Sequence, residues 1–156
     1  MRIAEAKAKD TSSKHNDSLI IAADTIVVQN DRIIGKPSDK NNARNILSSL
    51  SGTSHSVYTG VCLLKTGNNH QVIQSDTFHQ ITSVTFAELA PEEIDSYIDS
   101  SDPMDKAGAY GIQDDLGSLF VKSISGDYYN VVGFPLQLFY ERLKNFEPVL
   151  ATAILN

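Results

Sequence analysis

Apolar residues recur along the chain at spacings that predict alternating helices and strands. Spacings of three to four, as among Ala43, Ile46 and Leu50, are typical of the buried face of a helix. The predicted helices cover residues 2–9, the segment from a cap at Ser38 or Asp39 to Leu50, the segment from Pro91 to a stop at Ser100–Pro103, and the end of Val131–Leu143, where Pro135 opens the helix. The predicted strands are Leu19–Val28, Arg32–Ile34, His55–Leu64, Gln71–Phe86 and Leu119–Ile124.

These elements predict a single α/β domain. The run Leu19–Val28 is apolar at most positions, which is typical of a buried strand in a mixed or parallel sheet. Helices alternate with strands early in the chain, and His55–Leu64 and Gln71–Phe86 then follow each other as a meander. We therefore expect a mixed β-sheet flanked by helices, one domain over residues 1–146, and a C-terminal tail over residues 147–156.

The composition is that of an ordinary globular chain. Of its 156 residues, 41% are apolar and 21% are charged, which is enough for one domain with a core. No apolar run approaches the roughly 20 residues of a membrane helix, and the first residues lack the apolar segment of a signal peptide. The one cysteine, Cys62, lies in an apolar strand and excludes an intrachain disulfide. These features predict a cytoplasmic protein without a membrane partner.

The charge balance limits the class of ligand. A formal net charge of −6 argues against nonspecific nucleic-acid binding, which requires a basic surface. A nucleotide is compatible with this charge, because a small anion needs only a few local cations and a divalent metal can screen the rest. The histidines are scattered without zinc-ligand spacing, so a surface or strand position is favoured for each.

Three short segments carry the candidate chemistry. Asp24 follows the apolar start of a predicted strand, Lys36 follows a glycine in a turn, and Lys106 lies among small residues in a segment without a clear period. A carboxylate can hold a metal or accept a proton from water, and lysines neutralise phosphate oxygens. Each segment alone is also typical of a cap or a turn. Together they indicate phosphate chemistry with a divalent metal.

Five collinear blocks of sequence cover nearly the whole chain. They are Ala23–Thr25, Gly35–Pro37, Leu50–Gly60, Pro103–Gln113 and Gly126–Leu136. In these blocks the chain resembles the Maf family of nucleoside triphosphate pyrophosphatases. The third and fourth blocks are long enough that agreement by chance is not expected.

The resemblance implies a fold and a reaction. The fold is the elongated α/β fold shared with inosine triphosphate pyrophosphatases, which has two lobes around a cleft and forms homodimers in many members. The reaction is hydrolysis between the α and β phosphates of a nucleoside triphosphate, which gives the monophosphate and pyrophosphate. The implied cofactor is Mg²⁺ or another divalent cation such as Mn²⁺.

The resemblance also implies roles for individual residues. Asp24 is expected to be the general base and a metal ligand, and Lys36 and Lys106 are expected to offset the charge of the triphosphate. Lys7 matches a lysine on the family's early helix and is expected to act with them. A solvated helix face is an equally good interpretation of Lys7 and its neighbour Lys9.

Thr25 and Gln113 occupy two positions at which branches of the family differ. Both resemble the branch that hydrolyses dTTP and UTP, and not the branch that acts on a methylated GTP. The amide of Gln113 offers a donor and an acceptor, which suits the edge of uracil or thymine. Pyrimidine triphosphates, including modified ones, are therefore the expected substrates.

One part of the family pattern has no match in this chain. Family members open with a strand, a Ser-rich double-arginine turn and a loop with a glutamate, all ahead of the helix that Met1–Lys9 matches. We therefore expect an N-terminally truncated domain with an open sheet edge and without those arginines. Two interpretations stay open: a dTTP/UTP pyrophosphatase, and a catalytically weak or dead homologue that binds nucleotides or has a regulatory role.

Overall fold

A computed structural model describes residues 2–154 and contains one five-stranded sheet with helices. The strand order in the sheet is β2-β1-β3-β4-β5. The strands are β1 (Leu19–Gln29), β2 (Arg32–Ile34), β3 (Ser54–Thr66), β4 (Val72–Phe86) and β5 (Val121–Ser125). The helices are α1 (Arg2–Ser12), α2 (Lys40–Leu50), α3 (Pro91–Ser100), α4 (Gly117–Phe120), α5 (Tyr128–Val132), α6 (Leu136–Phe146) and α7 (Pro148–Ala153). The α/β class is confirmed.

The strand pairs at the two edges of the sheet are antiparallel. Val28 lies opposite Ile33 in the pair of β1 with β2, and Val84 lies opposite Ile124 in the pair of β4 with β5. The apolar start of β1, which suggested a mixed or parallel sheet, therefore has another cause. This stretch packs into two different apolar clusters, and it is apolar because it is covered twice.

Contacts divide the chain into two compact units, which are described separately. The first unit contains the chain up to Asp24, the segment Thr59–Gln80 and the chain from Gly133 onward, and the second contains Thr25–Tyr58 and Ile81–Val132. In the first unit, one cluster joins α1 to the sheet through Ala4, Ala8, Ile20, Cys62 and Leu64. The other cluster is built around Val61, Leu63, Phe78 and Phe146.

The second unit holds the larger core. The apolar faces of α2 and α3 and the ends of several strands fill it, and its largest fully buried side chains are Tyr97, Phe86, Leu47 and Leu50. The helix α2 begins where the sequence predicts, because the Asp39 carboxylate accepts the backbone N–H of Asn42 at 2.8 Å. Among residues 2–154, no helix combines the length and the apolar character that crossing a membrane requires.

The structure corrects three predicted element boundaries. The first helix continues to Ser12 instead of ending at residue 9. The final helix opens at Pro135 as predicted but continues past Leu143 to Phe146. Val131 and Val132 belong to a separate helix, α5, because Gly133 adopts a φ of 124° between α5 and α6, which no helix allows. The predicted strand Leu119–Ile124 begins only at Val121, since the two residues before it belong to α4. The predicted tail contains α7, and its last two residues, 155 and 156, lie outside the described range.

Gly108 is a position where the fold of the second unit requires glycine. Its φ is +74°, and an added Cβ would lie 3.0 Å from Cγ2 of Val27. We expect Gly108→Ala to lower the free energy of unfolding by about 1–3 kcal/mol, from backbone strain and this close contact. Urea unfolding measures it. Gly35→Ala is the matched control, because a Cβ there meets nothing within 4 Å; equal losses in the two variants would contradict this account.

Candidate functional site

In the first unit, the structure brings Lys7 and Asp24 into direct contact. The Nζ atom of Lys7 lies 2.6 Å from Oδ1 of Asp24 and 3.4 Å from the carbonyl oxygen of Ala23. The helix α1 positions Lys7, because Ala4 and Ala8 on the same helix are buried and the lysine is left at the edge of that face. The Asp24 side chain is 22% exposed, so ligands in solution can reach it.

In the second unit, Lys36 lies beside the segment that carries Lys106. Its Nζ atom is 2.9 Å from Oδ1 of Asp105, and the N–H of Gly108 donates to the carbonyl of Gly35 at 3.2 Å. The hydrogen bond and the charge of Lys36 lower the pKa of Asp105 from its ordinary value. The two lysine-bearing segments, far apart in sequence, are therefore neighbours in this unit.

Lys106 and Gln113 line one cavity of the second unit. Its volume is about 520 Å³, which is within the range of small-molecule sites. Asp102 and Asp114 also line it. Nζ of Lys106 lies 2.7 Å from the carbonyl oxygen of Asp102 and 3.1 Å from Oδ2 of Asp114. Thr25, the other predicted substrate residue, also belongs to this unit, where it lies half-buried on β1.

A buried tyrosine supports the wall of this cavity. Tyr97 on α3 is fully buried, and its hydroxyl donates to Oδ2 of Asp114 at 2.8 Å. The same hydroxyl accepts the backbone N–H of Gly111 at 3.1 Å. Burial and the hydrogen bond to the Asp114 carboxylate raise the pKa of Tyr97, so the hydroxyl stays protonated. The sequence alone does not reveal this role, because Tyr97 has the helical spacing of a core residue with Ile94 and Ile98.

A buried histidine lies close to the same segment. Nε2 of His55 is 2.8 Å from the hydroxyl of Tyr110, and its Nδ1 is buried with no hydrogen-bond partner among residues 2–154. The imidazole also packs edge-on against Phe86. Burial lowers the pKa of His55 to about 4, so the imidazole is neutral at pH 7. The strand position expected for this histidine is confirmed, and the other three are exposed.

Asp24 is the predicted metal ligand, and its surroundings suit Mg²⁺ only if substrate phosphates and water supply the remaining ligands. Within residues 2–154, no group of three or more His, Cys, Asp or Glu side chains could hold a metal ion. Mg²⁺ does not need such a group, because it commonly binds one or two carboxylates together with substrate phosphates and water. The partly exposed carboxylate of Asp24 fits this mode.

The chain belongs to the Maf family. The family model for Maf-like protein matches residues 1–146. The chain is 50% identical over 143 residues to a dTTP/UTP pyrophosphatase of Halalkalibacterium halodurans, covering 92% of this chain and 72% of the relative. It is 47% identical over 146 residues to a protein of the same name from Clostridium perfringens, covering 93% and 73%. A further relative of that name, from Bacillus cereus, is 45% identical over 147 residues, covering 94% and 73%.

Proposed function

We propose that the protein hydrolyses dTTP and UTP to the nucleoside monophosphate and pyrophosphate. The observation that carries the proposal is its identity of 45–50% to proteins named dTTP/UTP pyrophosphatase, over more than nine-tenths of this chain. The matched region includes the blocks that contain the candidate site residues Asp24, Thr25, Lys36, Lys106 and Gln113. Lys7 lies outside these blocks, in the first helix. Modified pyrimidine triphosphates with an unchanged base-pairing edge would be accepted by the same contacts.

Asp24 is the general base in this proposal. Water attacks the α phosphorus, its proton passes to the carboxylate, and pyrophosphate leaves with the electrons of the broken P–O bond. The partial exposure of Asp24 supports this role, because the base has to reach a water molecule. When a divalent cation such as Mg²⁺ or Mn²⁺ is bound, it lowers the pKa of its water and neutralises phosphate charge. Asp24 would hold it.

Lysines and polar side chains account for binding and specificity. Lys36 and Lys106 offset the charge of the triphosphate, and this matters most as negative charge develops on the leaving pyrophosphate. Lys7 would act beside Asp24, which it contacts. Thr25 and Gln113 would bind the substrate, with the Gln113 amide reading the edge of the pyrimidine. Lys106 and Gln113 line the same cavity, which supports the proposal that one binds the phosphates and the other the base of a single substrate.

The alternative, a catalytically weak or dead homologue that binds nucleotides or regulates, has one specific observation in its favour. The ammonium of Lys7 lies 2.6 Å from Oδ1 of the proposed base, so a protein group already occupies part of the carboxylate. Each candidate lysine also has a carboxylate partner, since Lys36 contacts Asp105 and Lys106 contacts Asp114. These pairs have to open, at least in part, before the lysines contact a triphosphate.

A pyrophosphate-release assay separates the two functions. The full chain would be assayed with dTTP and UTP in Mg²⁺, with GTP and ATP as substrates that present the wrong base edge. We expect turnover with dTTP and UTP, and lower kcat/KM with the purines by about 10²-fold or more, because they leave polar groups of the base site unpaired. Turnover no greater than that of Asp24→Asn would leave the nucleotide-binding homologue as the better account, and calorimetry with UTP would then test binding alone.

The assembly and location of the protein stay predictions. A homodimer and a cytoplasmic location are expected from the family resemblance and the composition. Light scattering on the purified chain measures the first, and fractionation of the source cells measures the second.

A further inference from the structure

The strongest unassigned feature is the set of hydrogen bonds that starts at Tyr97. Tyr97 lies on α3, is fully buried, and touches two parts of the segment that carries the cavity residues. Its hydroxyl oxygen accepts the backbone N–H of Gly111, and its hydroxyl hydrogen is donated to Asp114, so the group acts as acceptor and donor at once. The ring packs edge-on against Phe120 at 5.1 Å between centroids. The hydroxyl is therefore held in one direction by the core.

The donor and the acceptor in each of the two hydrogen bonds of the Tyr97 hydroxyl can be assigned in only one way. A carboxylate accepts and does not donate, and a backbone N–H donates and does not accept. Tyr97 must therefore give its proton to Asp114 and take the N–H of Gly111. Rotation of the hydroxyl would break one bond and leave a buried polar group unpaired, which is unfavourable.

Asp114 contacts both Tyr97 and Lys106. The oxygen that accepts from Tyr97, Oδ2, is also the oxygen 3.1 Å from Nζ of Lys106. The same ammonium donates a hydrogen bond to the carbonyl of Asp102 at 2.7 Å. Asp102, Lys106, Gln113 and Asp114 all line the same cavity.

Gly111 leaves room for this arrangement. A Cβ on Gly111 would lie 2.7 Å from both carboxylate oxygens of Asp114, which is closer than atoms can approach. The backbone at residue 111 thus has to be bare where the carboxylate turns toward Tyr97 and Lys106. Gln113 follows two residues later on the same turn, so the bond from Gly111 to Tyr97 also anchors the residue expected to read the base.

We propose that Tyr97 is a positioning residue that acts through Asp114 to aim the Lys106 ammonium, and through Gly111 to anchor Gln113, within one cavity. The inference rests on the proposed function for its kinetic consequence, because a triphosphate is the ligand that the aimed ammonium would meet. The geometry of Tyr97, Asp114 and Lys106 does not depend on that function.

The kinetic test is a double-mutant cycle with the full chain. Tyr97→Phe keeps the ring and its packing and removes only the hydroxyl. We expect kcat/KM for UTP to fall by about tenfold, as for the loss of one hydrogen bond to a charged group. In a Lys106→Met background the same change should lower kcat/KM by a clearly smaller factor, because the ammonium that Tyr97 positions is gone and only the anchoring of Gln113 through Gly111 is left to lose. Equal losses in both backgrounds would show a merely structural role and overturn the proposal.

Two further variants serve as a control and as an independent perturbation in this test. Tyr110→Phe is the matched control, because it removes another buried tyrosine hydroxyl of the same unit, which contacts His55 and not Lys106. Its effect should be the same with and without Lys106. Gly111→Ala is the second perturbation, since its Cβ displaces the Asp114 carboxylate without removing a charge. It should also couple to Lys106→Met, and additivity of Gly111→Ala with Lys106→Met would count against the role of Asp114.

A measurement without catalysis distinguishes failure of this inference from failure of the proposed function. Amide hydrogen exchange at Gly111 should quicken in Tyr97→Phe by about tenfold or more, and the NMR signal of the Lys106 Cε protons should shift. Both changes are expected even if the wild-type chain neither binds nor hydrolyses UTP, which would refute only the proposed function. Unchanged exchange at Gly111 and an unchanged Lys106 signal would overturn the inference, whatever the activity.

Discussion

Asp24→Asn is expected to lower kcat for pyrophosphate release from dTTP and UTP by about 10²–10⁴-fold, the usual contribution of a general base. The amide is nearly the same size as the carboxylate, so packing on β1 is kept, but it cannot take a proton from water. It also loses the charge that Lys7 contacts at 2.6 Å and that a divalent cation would use. Initial rates at saturating substrate and Mg²⁺ give kcat directly.

Asp10→Asn is the matched control for this substitution. Asp10 also pairs with a lysine, Lys14, at 3.0 Å in the same unit, but both side chains are strongly exposed on α1 and the loop after it. Its kcat should stay within about twofold of wild type, as expected for an exposed ion pair. If Asp24→Asn keeps a tenth or more of the wild-type kcat, Asp24 is not the general base.

Lys7→Met completes the comparison at this site. If Lys7 helps to bind the triphosphate, its loss raises KM. If Lys7 mainly restrains Asp24, its loss raises kcat instead, because the carboxylate is released from the ion pair and can contact the attacking water. No change in either constant would leave the solvated helix face as the correct interpretation of Lys7.

The second large effect is a loss of stability in acid caused by His55. The ordinary pKa of histidine is 6.5, and burial lowers the pKa of His55 to about 4 in the folded chain. Between these two values the unfolded chain binds a proton that the folded chain does not bind, so stability falls as the pH falls from 6.5 toward 4. At pH values above the ordinary pKa of histidine, the His55 imidazole is neutral in both the folded and the unfolded chain, so it adds no pH dependence to the stability. The expected loss is about 3 kcal/mol across the interval.

His55→Gln tests this prediction. Glutamine can still offer an amide group to the Tyr110 hydroxyl but does not titrate, so the acid-dependent loss should shrink by about 3 kcal/mol relative to wild type. Urea unfolding at several pH values measures both chains. Comparison between the two chains cancels the carboxylates, which titrate equally in both. His79→Gln is the control, because His79 is exposed on β4 and should leave the slope unchanged. Parallel pH profiles for His55→Gln and wild type would contradict the buried neutral imidazole.

The sequence predicted well those elements whose signals are local. The strand β2 has the predicted bounds, α2 begins after Asp39, one of its two predicted caps, and α3 opens with the predicted Pro91. Capping bonds and the fixed φ of proline act within a few residues, so they are visible in the sequence itself. The helix α5 was not predicted as a separate element, because its apolar residues continue the spacing of α6 across Gly133, which the backbone uses as a turn.

The candidate site was predictable only as a set of residue types. The blocks around Asp24, Lys36 and Lys106 indicated phosphate chemistry, and membership of the Maf family is confirmed. Their roles stay predictions. The partners of these side chains were not predictable, because Lys7 and Lys36 contact carboxylates of distant segments and Lys106 contacts Asp114 across an irregular turn.

Local pattern and residue type were enough to predict the α/β class, most of the helices and strands, and the charged residues available for phosphate chemistry. Which of these groups contact each other depends on how distant segments pack. Tyr97 and Asp114 are 17 residues apart, and their contact exists because the core places α3 against the turn after Tyr110. Packing of distant segments leaves no signature in local spacing, so a tyrosine with the pattern of a core residue became the support of a candidate catalytic lysine.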